Sequence, residues 1–343
     1  MKRIFVRSLL VMMLAMIALP AIASTSTDKA LPAADMFTGM LVAGLVINSA
    51  SIAALFKNFN TIFNEAVAAY KPQWQKVAME VPSTTSENLY AWLEALSGMR
   101  EFLGGRQYKN IKPSNWTVRN KTWEHTIAVP ATAIKDDQYG VYSPVVKFQS
   151  AVGLAQPDDL VFGLMNDGFT EKGYDEKTFF ATDHASGSNK ASGGSSVLST
   201  TSFGIAMAKI KRQKNAGGQP MFSGSEQLIL VVGPELEETA RVLMNNDYVS
   251  VASGSTQNNP WKGAATPLVS PKITSSTAWF LLINFYGLMP FIFQNREALR
   301  FTQKTDPETS DHVFEYDEFL YGLYSRNNAA YGLHQLAYGS VGA

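Results

Sequence analysis

Apolar positions between residues 52 and 69 recur at three- and four-residue spacing: Ile52, Leu55, Phe56, Phe59, Ile62, Phe63 and Val67. That period predicts an amphipathic helix, with Ser49 or Ser51 as its cap and Lys71-Pro72 as its end. Val77 to Pro82 reads as a short strand, and Tyr90 to Leu96 as a short helix or turn. From Arg106 to Val129 the alternation is weak. It runs through Tyr108 to Ile111, Trp116 to Val118 and Trp123 to Val129, with Pro113 and Asn120-Lys121 between. This predicts a long hairpin too poor in apolar alternation to bury a face of its own. Unpaired edges of that kind need a neighbour to cover them.

A second helical stripe, Val145, Val146, Phe148, Val152, Leu160, Phe162 and Leu164, fills residues 141–165. Pro157, within Gln156 to Asp159, predicts a kink or restart there. Residues 182–202 are rich in Gly, Ser, Asn and Thr and read as a flexible loop. A helix over Phe203 to Gln213 and a clean strand over Gln227 to Val232 follow. Gly233-Pro234 then turns into a helix over Glu235 to Met244, whose first-turn glutamates suit the positive end of a helix. Strands are expected at Trp279 to Phe285, Phe291 to Phe293, His312 to Phe314 and Phe319 to Tyr338. The class is α+β, without a regular βαβ series.

Composition narrows the function classes. The 343 residues are 46% hydrophobic and 17% charged, with 20 Phe, 13 Tyr and 6 Trp, which supplies both cores and flat subunit contacts. Lys plus Arg equals Asp plus Glu at 29 each, so no basic surplus points to nucleic acid as the primary ligand. The absence of cysteine excludes disulfides and thiolate metal sites. At the N-terminus, Lys2, Arg3 and Arg7 precede an apolar run from Leu9 to Ile22 and a small-x-small site at Ala21-Ile22-Ala23. That is the pattern of a secretory leader, and the run is short for a membrane span. A non-native extension ahead of a start at Met36 or Met40 is the competing reading. Loss of the leader through Ala23 removes three basic residues and no acidic one, leaving 26 against 29.

No constellation for catalysis stands out. His125, His184, His312 and His334 are scattered, with no second ligand at metal spacing. Asp183-His184 lacks a nucleophile on a rigid elbow and reads as a surface pair. Asp136-Asp137 and Asp158-Asp159 precede helical stretches and read as caps before metal ligands. Gly104-Gly105-Arg106 lacks the spacing of a phosphate loop. The basic run Lys209 to Lys214 reads as a solvated helix end, with contact to DNA or to a neighbour's acidic surface as its functional alternative. The expectation is no enzyme, no cofactor, no metal and no small-molecule substrate.

An ordered series of motifs carries a family resemblance. Phe59 to Glu65, Trp74 to Ala78 and Val81 to Thr85 resemble the opening of the Mu-like major head subunit (gpT) family. Tyr90 to Leu93, Met99 to Gly104, Asp136 to Tyr142 and Pro157 to Phe162 continue it. Asp183-His184, Asn259 to Gly263, Pro290 to Gln294, Tyr321-Gly322 and Gly332 to Gly339 complete it, so that about residues 45–343 are covered.

The resemblance implies a Hong Kong 97-type capsid fold. Residues 1–23 would be the leader, 24–45 a linker, 46–75 an N-terminal arm and 76–130 an extended-loop region. Residues 131–224 would form a peripheral domain with a spine helix, 225–310 an axial domain, and 311–343 strands returning to the peripheral domain. It further implies self-assembly into hexamers and pentamers of a shell around double-stranded DNA, with portal and scaffold partners. Assembly would fall in the bacterial host cytoplasm and the protein would end in the virion, against the export that the leader suggests. Arg106, Trp116, Trp123 and Trp261 are the expected subunit-interface residues. Lys109, Lys112 and Lys121 offer amines, but no partner carboxylate or Asn marks a crosslink. The alternatives are an exported surface or periplasmic binding protein and a nanocompartment shell.

Overall fold

The computed structural model describes residues 49–90, 93, 104, 116–136, 139–185, 187–190, 196–215, 217–250, 256–306 and 309–342. Helix α1 (Ser49–Ala69) forms as its period predicts. It docks on its own chain: Ile52, Leu55 and Phe59 pack with Val129, Ile134, Val146, Phe319 and Tyr321. Phe59 meets Tyr321 edge-on at 5.0 Å, while Phe56 and Phe63 stack on Phe301 at 5.7 and 5.8 Å.

After a 3-10 turn at Trp74–Lys76 come β1 (Ala78–Pro82), β2 (Glu87–Leu89), β3 (Thr117–Arg119) and β4 (Lys121–Pro130). The chain continues through α2 (Ala131–Lys135), α3 (Tyr139–Asp167) and α4 (Thr200–Lys211). Then follow β5 (Gln227–Val232), α5 (Glu237–Asn245), β6 (Tyr248–Ser250), β7 (Thr256–Asn258) and β8 (Thr266–Val269). The last elements are β9 (Trp279–Asn284), β10 (Phe291–Lys304), α6 (Asp311–Tyr316), β11 (Glu318–Tyr331) and β12 (Ala337–Ser340).

Two four-stranded sheets organise these elements, in the orders β1-β10-β11-β4 and β12-β9-β5-β8. Each holds one parallel pair, β1 with β10 and β5 with β8. A shared core joins them, with Phe280 and Leu282 of one sheet packed among Phe291, Phe293 and Tyr331 of the other. Within the stretch expected as axial, 225–310, the chain leaves the second sheet after β9 and enters the first as β10. It returns to the second sheet only at β12.

Three local expectations are corrected. Trp123 to Val129 is no arm of a projecting hairpin: β3 pairs with β2, while β4 pairs with β11 from Lys121↔Asn327 to Pro130↔Glu318. A partner so far downstream lies outside any local pattern. The hairpin's stretch 106–115 lies outside the described residues, as do 91–92 and 94–96 of the short helix or turn expected at Tyr90 to Leu96.

The second helix does not restart at Pro157; α3 runs unbroken for 29 residues with Pro144 and Pro157 inside it. An interior proline costs about 3 kcal/mol. Burial of Val146, Val161, Phe162 and Met165, at roughly 1.5–3 kcal/mol per large apolar side chain, outweighs it. Gly153, four residues ahead of Pro157, lets the helix approach the sheet: a Cβ there would fall 2.6 Å from Leu323 Cδ1.

His312 to Phe314 is helix, not strand. Ser310 Oγ accepts the Val313 N–H and Asp317 closes α6 in the left-handed region, φ 49°. Three residues are too few for periodicity to separate the two states.

Candidate functional site

The three described tryptophans of the expected interface are each half-buried and tied to their own chain. The Trp116 indole N–H donates to the Tyr331 carbonyl at 3.0 Å, and that of Trp123 to the Asn327 carbonyl at 3.2 Å. Trp261 donates to the Thr200 carbonyl at 2.9 Å, sets its edge on Phe203 at 5.5 Å, and covers Gly204, where a Cβ would lie 2.8 Å from the ring. Trp116 and Trp123 flank the first sheet and Trp261 sits on α4, so no single cluster unites them. Trp123 also lines a slot of about 120 Å³ between α3 and the first sheet, with Val152, Gly153, Leu299 and Leu323. Arg106 lies outside the described residues.

Several large apolar groups lie uncovered. Phe148 belongs to the apolar stripe read along this helix, yet it is 68% exposed, with Val145 and Val152 beside it on the same face of α3. The reason is that α3 is apolar nearly all round: Val146, Val161 and Phe162 bury one side and the Phe148 side faces out. Phe314 and Tyr316 of α6 are 87% and 62% exposed. Tyr286, at the two-residue turn between β9 and β10, is 86% exposed and holds φ at 52°.

The histidines are less scattered than sequence separation suggests. His184 and His334 stack face to face, ring centres 3.8 Å apart and planes within 8°. Tyr174 stacks on the other side of His334 at 5.4 Å. His184 Nδ1 lies 2.5 Å from an Asp175 carboxylate oxygen and Nε2 3.2 Å from the Phe179 carbonyl. The expected partner of His184, Asp183, instead pairs with Lys177 at 2.5 Å. Burial alone would raise the Asp175 carboxyl, but the hydrogen bond and charge of His184 hold it below its ordinary value. His334 is pushed down to about 3, first by burial and then by the charge of His184, against the weaker pull of Asp175.

Asp175, His184 and His334 bring their ligand atoms within 4.8 Å of one another, and the question of a metal follows. An imidazole binds an ion in its own plane at about 2.0–2.1 Å. Two parallel planes at stacking distance cannot share such a point, and both His184 nitrogens already face oxygens. The arrangement is a hydrogen-bonded stack, and metal binding would have to dismantle it.

A second buried carboxylate serves structure. Asp158 accepts the N–H of Gln73 at 3.0 Å and of Trp74 at 2.7 Å, together with the Tyr70 hydroxyl. It caps the turn at Trp74 from across the fold and not its own helix. Asp159 pairs with Lys272. The basic run at the end of α4 is partly engaged: Lys209 Nζ reaches the Lys190 carbonyl at 3.3 Å and lies 5.9 Å from the Tyr338 ring centre.

Two sheets on a shared core, a long spine helix and uncovered aromatics make up a shell-building subunit of the Hong Kong 97-type capsid fold. A solved structure described as the procapsid of bacteriophage JBD30 aligns over 86% of this chain and 76% of its own, with 28% identity and TM-score 0.52. The family model for the Mu-like prophage major head subunit gpT matches residues 52–204, 190–273 and 272–343, and the chain belongs to that family. A Mu-like prophage FluMu major head subunit of Haemophilus influenzae is 28% identical over 291 residues, 85% of this chain and 73% of the relative. The major capsid protein of Escherichia phage Mu is 26% identical over 293 residues, 85% and 74% of the two chains.

Proposed function

We propose that this major head protein works by assembly alone, with no catalytic step. Copies join as hexamers and pentamers into an icosahedral shell around double-stranded DNA, which they touch weakly and without sequence preference. The observation that carries this reading is the set of large apolar side chains, Phe148, Tyr286 and Phe314, that a family member of this class leaves uncovered by its own chain. A neighbouring copy is the surface that covers them, and closed symmetry repeats the same interface at every subunit. The exposed halves of Trp116, Trp123 and Trp261, with Arg106, extend that interface. Residues 131–224 and 311–343, joined by β4 and β10, serve as the peripheral part; the rest of 225–310, joined by β12, serves as the axial part, 46–75 as the arm and the stretch of 76–130 ahead of β4 as the loop region.

The electroneutral composition supports weak DNA contact, with the free part of the α4 basic run as its site. Portal and scaffold proteins complete the partner set, and assembly takes place in the host cytoplasm. Full-length protein examined by size exclusion and negative-stain microscopy should give capsomer rings or uniform shells. A strict monomer across concentration and salt would overturn the proposal. Mass spectrometry of the N-terminus in native particles decides whether residues 1–23 persist.

A further inference from the structure

We infer that the apolar flank of α3 meets its own counterpart on a second copy about a two-fold axis. Each Phe148 ring is then seated in the other copy's slot between α3 and the first sheet. The inference rests on the assembly reading above and names what covers one of its exposed rings.

A projecting ring and a hole of its size are neighbours on one surface. Val145, Phe148 and Val152 recur at three- and four-residue spacing, so they share one flank of α3, and all three are exposed. Gln156, one turn beyond Val152, continues that flank and lines the slot together with Val152 and Gly153. Trp123, Leu299 and Leu323 of the sheet form its other walls. The slot's volume of about 120 Å³ is of the same order as the roughly 150 Å³ that holds one benzene ring in an apolar cavity. Phe148 does not line the slot of its own chain and points outward beside it.

A knob beside a hole on the same face is self-complementary, which is what a two-fold contact between identical copies requires. Two α3 helices running antiparallel, with Val152 of each nearest the axis, bring Phe148, four residues before it, opposite Gln156, four residues after it. Those four residues are about 6 Å along the helix, so the ring lands at the slot. The flank that meets is uncharged. Between Ser143 and Gln156 the only charged residue of α3 is Lys147, and the helical period turns it away from Val145, Phe148 and Val152. Asp159, on the next turn, already pairs with Lys272. Alternation along β4 sends the Glu124 side chain to the far face of the sheet, where it accepts the Thr126 hydroxyl at 2.7 Å. The flank offers roughly a few hundred Å², under the about 800 Å² per partner of a stable dimer. The contact therefore forms in particles, where other interfaces hold the copies together, and not between dissolved subunits.

The chain has no cysteine, so introduced thiols report without background. Full-length Val152→Cys, assembled into particles and then oxidised, should run as a disulfide-linked dimer, because a residue on a two-fold meets its own copy. Particles that mix Phe148→Cys chains with Gln156→Cys chains should give the same dimer, and particles of either variant alone should give monomer. Monomer throughout would overturn the contact. A disulfide between Phe314→Cys and Gln156→Cys chains would overturn it too, by making α6 the occupant in a head-to-tail arrangement.

A wild-type measurement serves where a variant does not fold. Hydroxyl-radical labelling read by mass spectrometry should mark Phe148 in dissociated subunits and spare it several-fold, together with Trp123, in particles. Well-formed particles with Phe148 labelled as in the free subunit would defeat this contact and leave the assembly reading standing. A wild type that forms no particles would defeat both.

Discussion

Asp158 is 5% exposed and accepts three hydrogen bonds, two from the backbone of the Trp74 turn and one from Tyr70. Burial first, and then the hydrogen bond and charge of Asp158, raise the Tyr70 phenol well above its ordinary value. A charged acceptor contributes about 1.5–3 kcal/mol per hydrogen bond, and removing it leaves buried donors unmet. Asp158→Ala should therefore destabilise the subunit by about 3 kcal/mol or more, read as a lowered urea midpoint. A surface cap of α3 would be worth about 1 kcal/mol, so a loss that small would show that the carboxylate acts locally. Paired acids ahead of an apolar run look like a cap in sequence, and only the fold reveals that the capped turn lies more than eighty residues upstream.

At the scale of elements, the tight turn between β9 and β10 sets a backbone preference against a side chain. Phe285 and Leu288 exchange both backbone hydrogen bonds, which leaves Tyr286 and Gly287 as the two turn residues, φ 52° and 87°. Such turns favour Asn-Gly, because a residue with a Cβ in the left-handed region costs roughly 1–2 kcal/mol and Asn tolerates it best. Tyr286 gives back about 0.5 kcal/mol through its edge contact with Phe285 at 5.0 Å. Tyr286→Asn should stabilise the unassembled subunit by about 0.5–1 kcal/mol, a rise of about one to two degrees in Tm. An unchanged or lowered Tm would mean that the tyrosine is anchored within its own subunit. Elements defined by local period were legible in the sequence, α1, β1 and β5 among them. Those set by a distant partner were not: β4 depends on β11, and the His184–His334 stack depends on two segments that only the two-sheet core brings together.

For the whole molecule, the balance between folding and assembly can be separated at Phe148 and Phe314. Both rings are more than two-thirds exposed, so replacing them changes the subunit's own stability by no more than about 0.5 kcal/mol. Covering each ring with a neighbour contributes roughly 1.5–3 kcal/mol. Removing both rings from every subunit, about 4 kcal/mol together, weakens association by roughly a thousandfold, since every 1.4 kcal/mol is a factor of about ten. Phe148→Ser with Phe314→Ser should therefore leave circular dichroism and urea midpoint of the isolated subunit as they are. Shell formation should shift to far higher protein concentration in light scattering, or vanish. Shells formed at wild-type concentration would exclude both rings from the interface and place assembly on the tryptophans. Aggregation during folding would show instead that these rings serve the subunit's own core.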